Sequence, residues 1–331
     1  MKQQFSKKNP FFAHAEAKYF IVREGKKTVG RVAAVINRRH IDFHKEAAGF
    51  FSFFESINDS RVSERLLDAA MGALREKGLT VMRGPMNFST NEECGFLIEG
   101  FDQSPMLMTP YNPPYYIDLM EHYGMRKAKD LYAFIYDVKE ALPEKVLRVA
   151  MIAEKRGISV RPVDKNKFDA EMQVFKKVYN SAWEKNWGFI PLTDAELMYL
   201  GERLKKIVVP ELTLIAEDNG EPVGFMGLLP DFNFVLKYMH GKLNPLTIVK
   251  ALYYSRKVSN LRLLLLGIKR EYRNRGVDAL LYREGFKGIK NGNYKKVEFS
   301  WILEDNIQVQ RIVEMVGGAL YKRYRIYEKD I

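Results

Sequence analysis

A single cysteine, Cys94, stands in 331 residues. It excludes an internal disulfide and a cysteine-based zinc site, so a reducing, cytoplasmic setting is expected. Histidine is nearly as scarce. The five, His14, His40, His44, His122 and His240, show no metal-ligand spacing beyond a lone His40-x-x-x-His44, which reads as surface, and no metal is expected. Long apolar runs are missing too. The most apolar region, 243–268, carries Lys250, Arg256, Lys257 and Arg262, and its uncharged stretch 263–268 is far too short to span a bilayer. The N-terminal Met1-Lys-Gln-Gln-Phe-Ser-Lys-Lys has the charge of a signal peptide, but Pro10, His14, Glu16 and Lys18 interrupt any apolar core, so no secretion signal is expected.

What is present is apolar and basic. Hydrophobic residues make up 47% of the chain, including 21 Phe and 18 Tyr, which excludes a disordered or collagen-like protein because burial of that surface offsets chain entropy. The length predicts two domains. Lys and Arg number 53 against 41 Asp and Glu, a net charge of +12. That excess raises nucleic acid, anionic lipid and phosphorylated cofactors as partners. The basic residues are scattered, however, and local clusters such as Arg38-Arg39, Lys205-Lys206 and Lys295-Lys296 are only pairs. A solvated surface follows, with no sequence-specific nucleic acid expected.

The chain repeats itself. Residues 19–34 read as strand, tight turn and strand with Gly25 at the turn. Residues 214–227 repeat the pattern at an offset of about 194, with Asn219-Gly220 as the turn and Gly224 matching Gly30. His122-Tyr-Gly-Met-Arg-Lys with the strand 132–136 matches Met315-Val-Gly-Gly-Ala-Leu-Tyr-Lys with the strand 324–327. Between these anchors a helix over 62–77 matches one over 276–290. Two insertions distinguish the copies: 89–116, with Pro105, Pro110, Pro113 and Pro114, and 232–255. The boundary is set by a helix starting near Pro143 and stopping at Gly157. The expected division is 1–142, a connecting helix 143–157, and 158–331.

The most informative stretch runs from Leu261 to Leu281. A buried strand through Leu266, Gly267 and Ile268 enters a short basic turn, Arg270 to Gly276, and then an amphipathic helix. Basic side chains and unpaired amides at a helix N-terminus make a site for phosphate. The turn Arg273-Asn274-Arg275-Gly276-Val277-Asp278, preceded by Glu271-Tyr272, resembles the loop of the GNAT superfamily of acyl-CoA N-acyltransferases, Arg/Gln-x-x-Gly-x-Gly/Ala. Asp278 departs from it. The resemblance extends through Val297-Glu-Phe-Ser-Trp-Ile-Leu-Glu-Asp-Asn306 and covers 158–331 well, while the earlier half looks like a degenerate copy. There the corresponding turn, Asn58-Asp-Ser-Arg-Val-Ser-Glu64, has no glycine and should repel a pyrophosphate.

The resemblance implies an α/β fold of two tandem GNAT-like domains, each a mixed, mostly antiparallel twisted sheet flanked by helices. It implies acetyl-CoA or a longer acyl-CoA as co-substrate, held by the backbone of Leu266, Gly267 and Ile268, by Arg273, Asn274, Arg275, Gly276 and Val277, and by Asn306. Glu304 and Glu298 are the carboxylates implied for deprotonating an amine acceptor. The position of the family's tyrosine general acid is Val313 here, with Tyr321, Tyr324 and Tyr327 following. The acceptor wall falls on the first helix–helix loop, with Trp183, Glu184, Asn186, Trp187 and Phe189.

A narrower resemblance, carried by Gly84-Pro85, Gly100-Phe101-Asp102 and Tyr111-Asn112-Pro113, is to bacterial GNAT-like proteins that acylate long-chain amines, as in ceramide formation. The expected activity is direct transfer, in a ternary complex, from acyl-CoA to a small-molecule or lipid-like amine. Transfer from aminoacyl-tRNA and a non-catalytic acyl-CoA-binding module remain alternatives. The segment 232–257 is apolar and aromatic with only basic charges, which fits an interfacial membrane helix, an acyl-chain tunnel wall, or a core helix with lysines reaching water. A peripheral membrane contact is therefore among the expected partners, and a monomer whose halves form a pseudo-dimer is the expected assembly.

Overall fold

The computed structural model describes residues 8–184, 186–242 and 244–331. The first half contains β1 (Ala15–Glu24), β2 (Lys27–Asn37), α1 (Arg38–His44), β3 (Ala48–Ser56), α2 (Ser60–Arg75), β4 (Val81–Gly84), β5 (Phe96–Glu99), α3 (Tyr116–His122) and β6 (Arg126–Asp137). After α4 (Glu144–Lys155) the second half follows with β7 (Ile158–Pro162), α5 (Phe168–Trp183), α6 (Asp194–Leu204), β8 (Thr213–Asp218) and β9 (Glu221–Pro230). Then come α7 (Asn233–Met239), α8 (Pro245–Ser255), β10 (Asn260–Ile268), α9 (Val277–Asn291), β11 (Lys296–Leu303), α10 (Ile307–Val316) and β12 (Ala319–Asp330).

Local chemistry explains the elements. In α2 the residues Leu66, Leu67, Ala70, Met71 and Leu74 recur at helical spacing and are buried, so one face packs on the sheet. Thr193 and Glu196 form a reciprocal capping box at the start of α6. Asn219 and Gly220 both take positive φ, 50° and 83°, as the tight turn between β8 and β9 requires. His40 corrects the surface reading of His40-x-x-x-His44: its ring is 2% exposed, and burial draws its pKa down to about 4, leaving it neutral.

All the strands join one sheet, in the order β1-β2-β3-β4-β12-β6-β11-β10-β9-β8-β7, with β5 beside β12. Each half has one parallel pair, β3 with β4 and β10 with β11, and is otherwise antiparallel. The repeat did not foretell how the halves are joined. The last strand of the first half, β6, pairs with β11, and the last strand of the second, β12, pairs with β4 and also with β6. The halves therefore exchange their final strands, and each copy's sheet is completed by the other. Tyr324, Ile326 and Tyr327 of β12 are buried in the cores of the first half, which fixes the exchange by apolar burial.

The insertion 232–255 forms the hairpin α7–α8. Only Thr247 of α8 is buried, so α8 is not a core helix.

Candidate functional site

The site begins where two parallel strands part. β10 and β11 pair from Asn260 with Lys296 to Leu263 with Phe299 and no further. β10 continues to Ile268 along β9, while β11 shifts register against β6 between Phe299 and Ile302. The β11-facing edge of β10 over residues 264–268 thus has no strand partner among the described residues. Its peptide groups are open to water or to an extended ligand. Leu266, Gly267 and Ile268 lie on this edge. At Gly267 a β-carbon would sit 2.1 Å from Cζ3 of Trp183, so glycine lets the indole lie directly on the strand.

The strand leads to the basic turn. Asn274 and Gly276 have φ of 62° and 81°, and a β-carbon on Gly276 would stand 2.9 Å from Cγ1 of Val149 and 3.0 Å from its carbonyl oxygen. Glycine is needed twice over, for the left-handed backbone and for the close approach of α4. No side chain caps α9, which leaves its first amides without a capping acceptor, and Arg273, Asn274 and Arg275 just before it are exposed. Arg273 is partly committed: its Nη2 donates to the carbonyl of Ala182 at 2.8 Å, tying the turn to the end of α5. The Arg275 guanidinium stacks over Tyr272, 4.9 Å from the ring centre. Asp278 sits in the first turn of α9, where the helix dipole favours a carboxylate.

A cleft of about 170 Å³ opens beside the free edge. Trp183, Asn186, Trp187 and Phe189 form one wall, Leu264 and Leu265 of β10 another, and Trp301 and Leu303 of β11 a third. The first half closes it with Asn91, Glu92, Cys94 and Met108 from the long excursion. That excursion is fastened to the α5–α6 loop by Thr90, whose hydroxyl donates to the Gly188 carbonyl at 2.7 Å, and to α5 by Asn91, which accepts from Tyr179. Trp183 stacks on Tyr179 with centroids 4.8 Å apart, and the Arg83 guanidinium lies 5.3 Å over Trp187. Four of the five residues expected at the acceptor wall meet here. Glu184 does not: it is exposed and lies outside the lining.

The carboxylates sort differently from expectation. Glu304 accepts from Lys127 Nζ at 2.8 Å and from the Asp130 amide at 3.1 Å, fastening the end of β11 to β6, and it does not line the cleft. Glu298 is fully buried where β10 and β11 separate. It accepts from Ser300 Oγ at 2.5 Å and from the Tyr321 hydroxyl, with Arg262 Nε and Lys322 Nζ each 3.7 Å away. Arg262 also donates to Ser300 Oγ and to the carbonyls of Leu107 and Met108, and Lys322 to the carbonyl of Ser104. Burial draws the pKa values of both cations down. Asp231, near the same group, is pushed up to about 6 by burial.

Two residues that the sequence reading passed over face the cleft. Arg262 forms part of its floor, with its guanidinium 4.9 Å over the Trp301 ring. A lone charge inside the apolar run 261–268 was the available signal. Glu92 is the carboxylate in the lining; burial pushes its pKa up against the opposing pull of Arg203, whose Nη1 lies 3.3 Å away. Cys94 is buried, and its thiol is pushed up to about 12. Trp301 Nε1 is a buried donor without a hydrogen-bond partner among the described residues. Asn306 caps α10, its side chain accepting from the Val309 amide at 3.4 Å, and Val313 is core. Burial, reinforced by Glu298, drives the Tyr321 phenol far upward, so it keeps its proton. Among the described residues no His, Cys, Asp and Glu group could hold a metal ion.

The fold is that of a tandem GNAT protein, and the comparisons agree. A solved tandem GNAT protein from the clavulanic acid biosynthesis pathway matches with a TM-score of 0.57, over 96% of this chain and 83% of that one, at 11% identity, a likeness of fold. The chain is 34% identical over 332 residues to the bacterial ceramide synthase of Caulobacter vibrioides, spanning 98% of this chain and 86% of the relative. It is 32% identical over 336 residues to protein YghO of Escherichia coli, spanning 99% and 86%. No protein-family model matches. The class is an acyltransferase of the GNAT fold with tandem halves. Within that class the chain belongs to the family of the Caulobacter and Escherichia proteins.

Proposed function

We propose that this protein moves an acyl group from acyl-CoA to the amine of a long-chain, lipid-like acceptor, by direct transfer in the cleft shared by its two halves. The observation that carries the reading is the free edge of β10 over residues 264–268, opening onto a cleft walled largely by indole, phenyl and leucine side chains. A thioester-bearing chain finds backbone partners along that edge, and an aliphatic acceptor finds apolar walls. Whole-length similarity to a protein named bacterial ceramide synthase supports a lipid-like amine. In this reading Leu266, Gly267 and Ile268 hold the pantetheine, Arg273 to Val277 the pyrophosphate, and Asn306 contacts the cofactor.

The acceptor nitrogen attacks the thioester carbon only as a free amine. Glu92 takes its proton, because Glu92 is the carboxylate in the cleft wall and burial raises its basicity. The N–C bond forms as the C–S bond breaks, the sulfur leaves as thiolate, and the proton that the acylated nitrogen sheds to become an amide goes to that thiolate, releasing the free thiol. With its thiol pushed to about 12, Cys94 offers no thiolate for an acyl-enzyme, which supports direct transfer. The arginines keep the turn positive.

Calorimetry with acetyl-CoA and a long-chain acyl-CoA tests the reading, with mass spectrometry of the amide formed from a long-chain amine. Arg275→Glu abolishes binding, whereas Glu92→Gln spares binding and slows transfer on the order of 100-fold or more. No binding at any acyl length would overturn the reading. Full activity in Glu92→Gln beside slow transfer in Glu298→Gln or Glu304→Gln would return the proton-accepting role to those residues.

A further inference from the structure

The helices α7 and α8 turn apolar side chains outward. Asn244 and Thr247 cap α8 reciprocally, and Tyr238 stacks on Tyr254 with centroids 3.7 Å apart and planes 4° from parallel, joining the two helices. Leu246 is 68% exposed, and Val249 and Leu252 are 64% exposed each. Tyr253 and, on α7, Leu236 are also exposed. Positions 246, 249 and 253 follow i, i+3, i+7, so they share one helix face. Between Phe232 and Val258 every ionised side chain is basic and exposed: Lys237, Lys242, Lys250, Arg256 and Lys257. No Asp or Glu occurs between Asp231 and Glu271.

We propose that this hairpin docks the protein onto an anionic bilayer surface, with Leu246, Val249, Leu252 and Leu236 entering the headgroup–acyl boundary and the lysines pairing with lipid phosphates. The charge pattern selects this occupant. An apolar face rimmed only by cations is the composition of an interfacial helix. A second copy of the chain would bring an equally basic hairpin to a symmetric interface, where like charges repel. The helices are too short to cross the membrane, and no helix among the described residues is long and apolar enough to do so. Docking is therefore superficial.

The hairpin is wired to the cleft. Asp231, just before α7, accepts from the Leu107 amide at 2.9 Å, and Asn233 donates through Nδ2 to the carbonyls of Pro105 and Met106 at 3.1 and 2.8 Å. Met108, one residue beyond, lines the cleft. The membrane-facing element and the excursion that closes the cleft thus share one set of hydrogen bonds.

Co-sedimentation of the full chain with equimolar phosphatidylglycerol–phosphatidylcholine vesicles, without substrate, tests the proposal. Wild type binds these vesicles at least about tenfold more tightly than pure phosphatidylcholine vesicles, and high salt weakens binding. Replacing Leu246, Val249 and Leu252 together by Ser weakens binding on the order of 100-fold. Lys237→Glu with Lys250→Glu weakens it at least about tenfold. These side chains are exposed, so thermal melting shows the variants folded. Failure of wild type to bind anionic vesicles, or unchanged binding by the triple variant, would overturn the proposal. So would a concentration-dependent dimer in solution that the triple variant loses, which would assign the face to self-association. Because no substrate is present, docking without acylation of a long-chain amine would refute the proposed function and leave this inference standing.

Discussion

Glu298 holds two buried cations, and neutralising it measures what that group of charges contributes. Its carboxylate lies 3.7 Å from both Arg262 Nε and Lys322 Nζ, and the three side chains are 0%, 2% and 1% exposed respectively. At that separation each pair is worth about 4 kcal/mol for an effective dielectric constant near 20, before the cost of desolvating the ions. In Glu298→Gln the cations keep the carbonyls of Leu107, Met108 and Ser104 but lose their central counter-charge. Removing one member of a buried ionic group costs roughly 3–5 kcal/mol. For a chain of this size that lowers the melting temperature by roughly 4–7 °C. The double variant Glu298→Gln with Lys322→Met removes one uncompensated cation with the carboxylate, so it should be less destabilised than the sum of the single variants by roughly 1.5 kcal/mol or more. Urea unfolding of the four proteins completes the cycle. A Glu298→Gln cost below about 1 kcal/mol, or additivity within about 0.5 kcal/mol, would refute the argument that these charges act as a unit.

The cleft and its surroundings give two further expectations. In Gly267→Ala the new methyl would fall 2.1 and 2.2 Å from Cζ3 and Cη2 of Trp183, so the indole must leave the strand and its stack on Tyr179. The expected cost is about 1–3 kcal/mol, with a shift in tryptophan fluorescence, and an unchanged spectrum would contradict that packing. Asp231, with its carboxyl pushed up to about 6, keeps its proton in the folded protein where the unfolded chain has already released its own. Stability therefore falls as pH rises from about 4 to 6, by roughly 2–3 kcal/mol in all, and Asp231→Asn should remove that slope in melts recorded across the interval.

The parts of the fold that rest on local rules were legible in the sequence. The Asn219-Gly220 turn, the α4 helix between Pro143 and Gly157 and the strand–turn–helix around Gly276 each follow from backbone requirements that few residues satisfy. The aromatic wall was legible too, since Trp183, Asn186, Trp187 and Phe189 sit together in one segment. The strand exchange was not. β6 and β12 have similar tyrosine-rich patterns, and nothing local distinguishes pairing within a half from pairing across halves. Glu92 was hidden for a related reason: its exposure, its raised pKa and its place in the cleft all come from contacts with the distant α6 and β10 segments. Glu304 drew notice by its position at a strand end, yet Lys127 and the Asp130 amide, 177 and 174 residues away, decide its role there.

The two helix starts that the repeat sets in correspondence would offer an arriving anion different surroundings. At α9 the residue before the helix is Gly276, which has no side chain to offer, and the first amides stay open beside three exposed polar residues, two of them arginines. At α2 the residue is Asp59, whose carboxylate accepts from the Arg61 amide at 2.9 Å and pairs with the Arg61 guanidinium at 2.9 Å. That carboxylate supplies from within the chain the negative charge that a helix N-terminus favours. A pyrophosphate arriving at α2 would have to displace it and face its charge, whereas at α9 it would meet unpaired donors. The first half is thereby free to contribute in other ways: Asn91, Glu92 and Met108 to the cleft, and β6 as the strand beside β11. The exchange of final strands makes that contribution obligatory, because the β11 side of the parted strands exists only where β6 supports it.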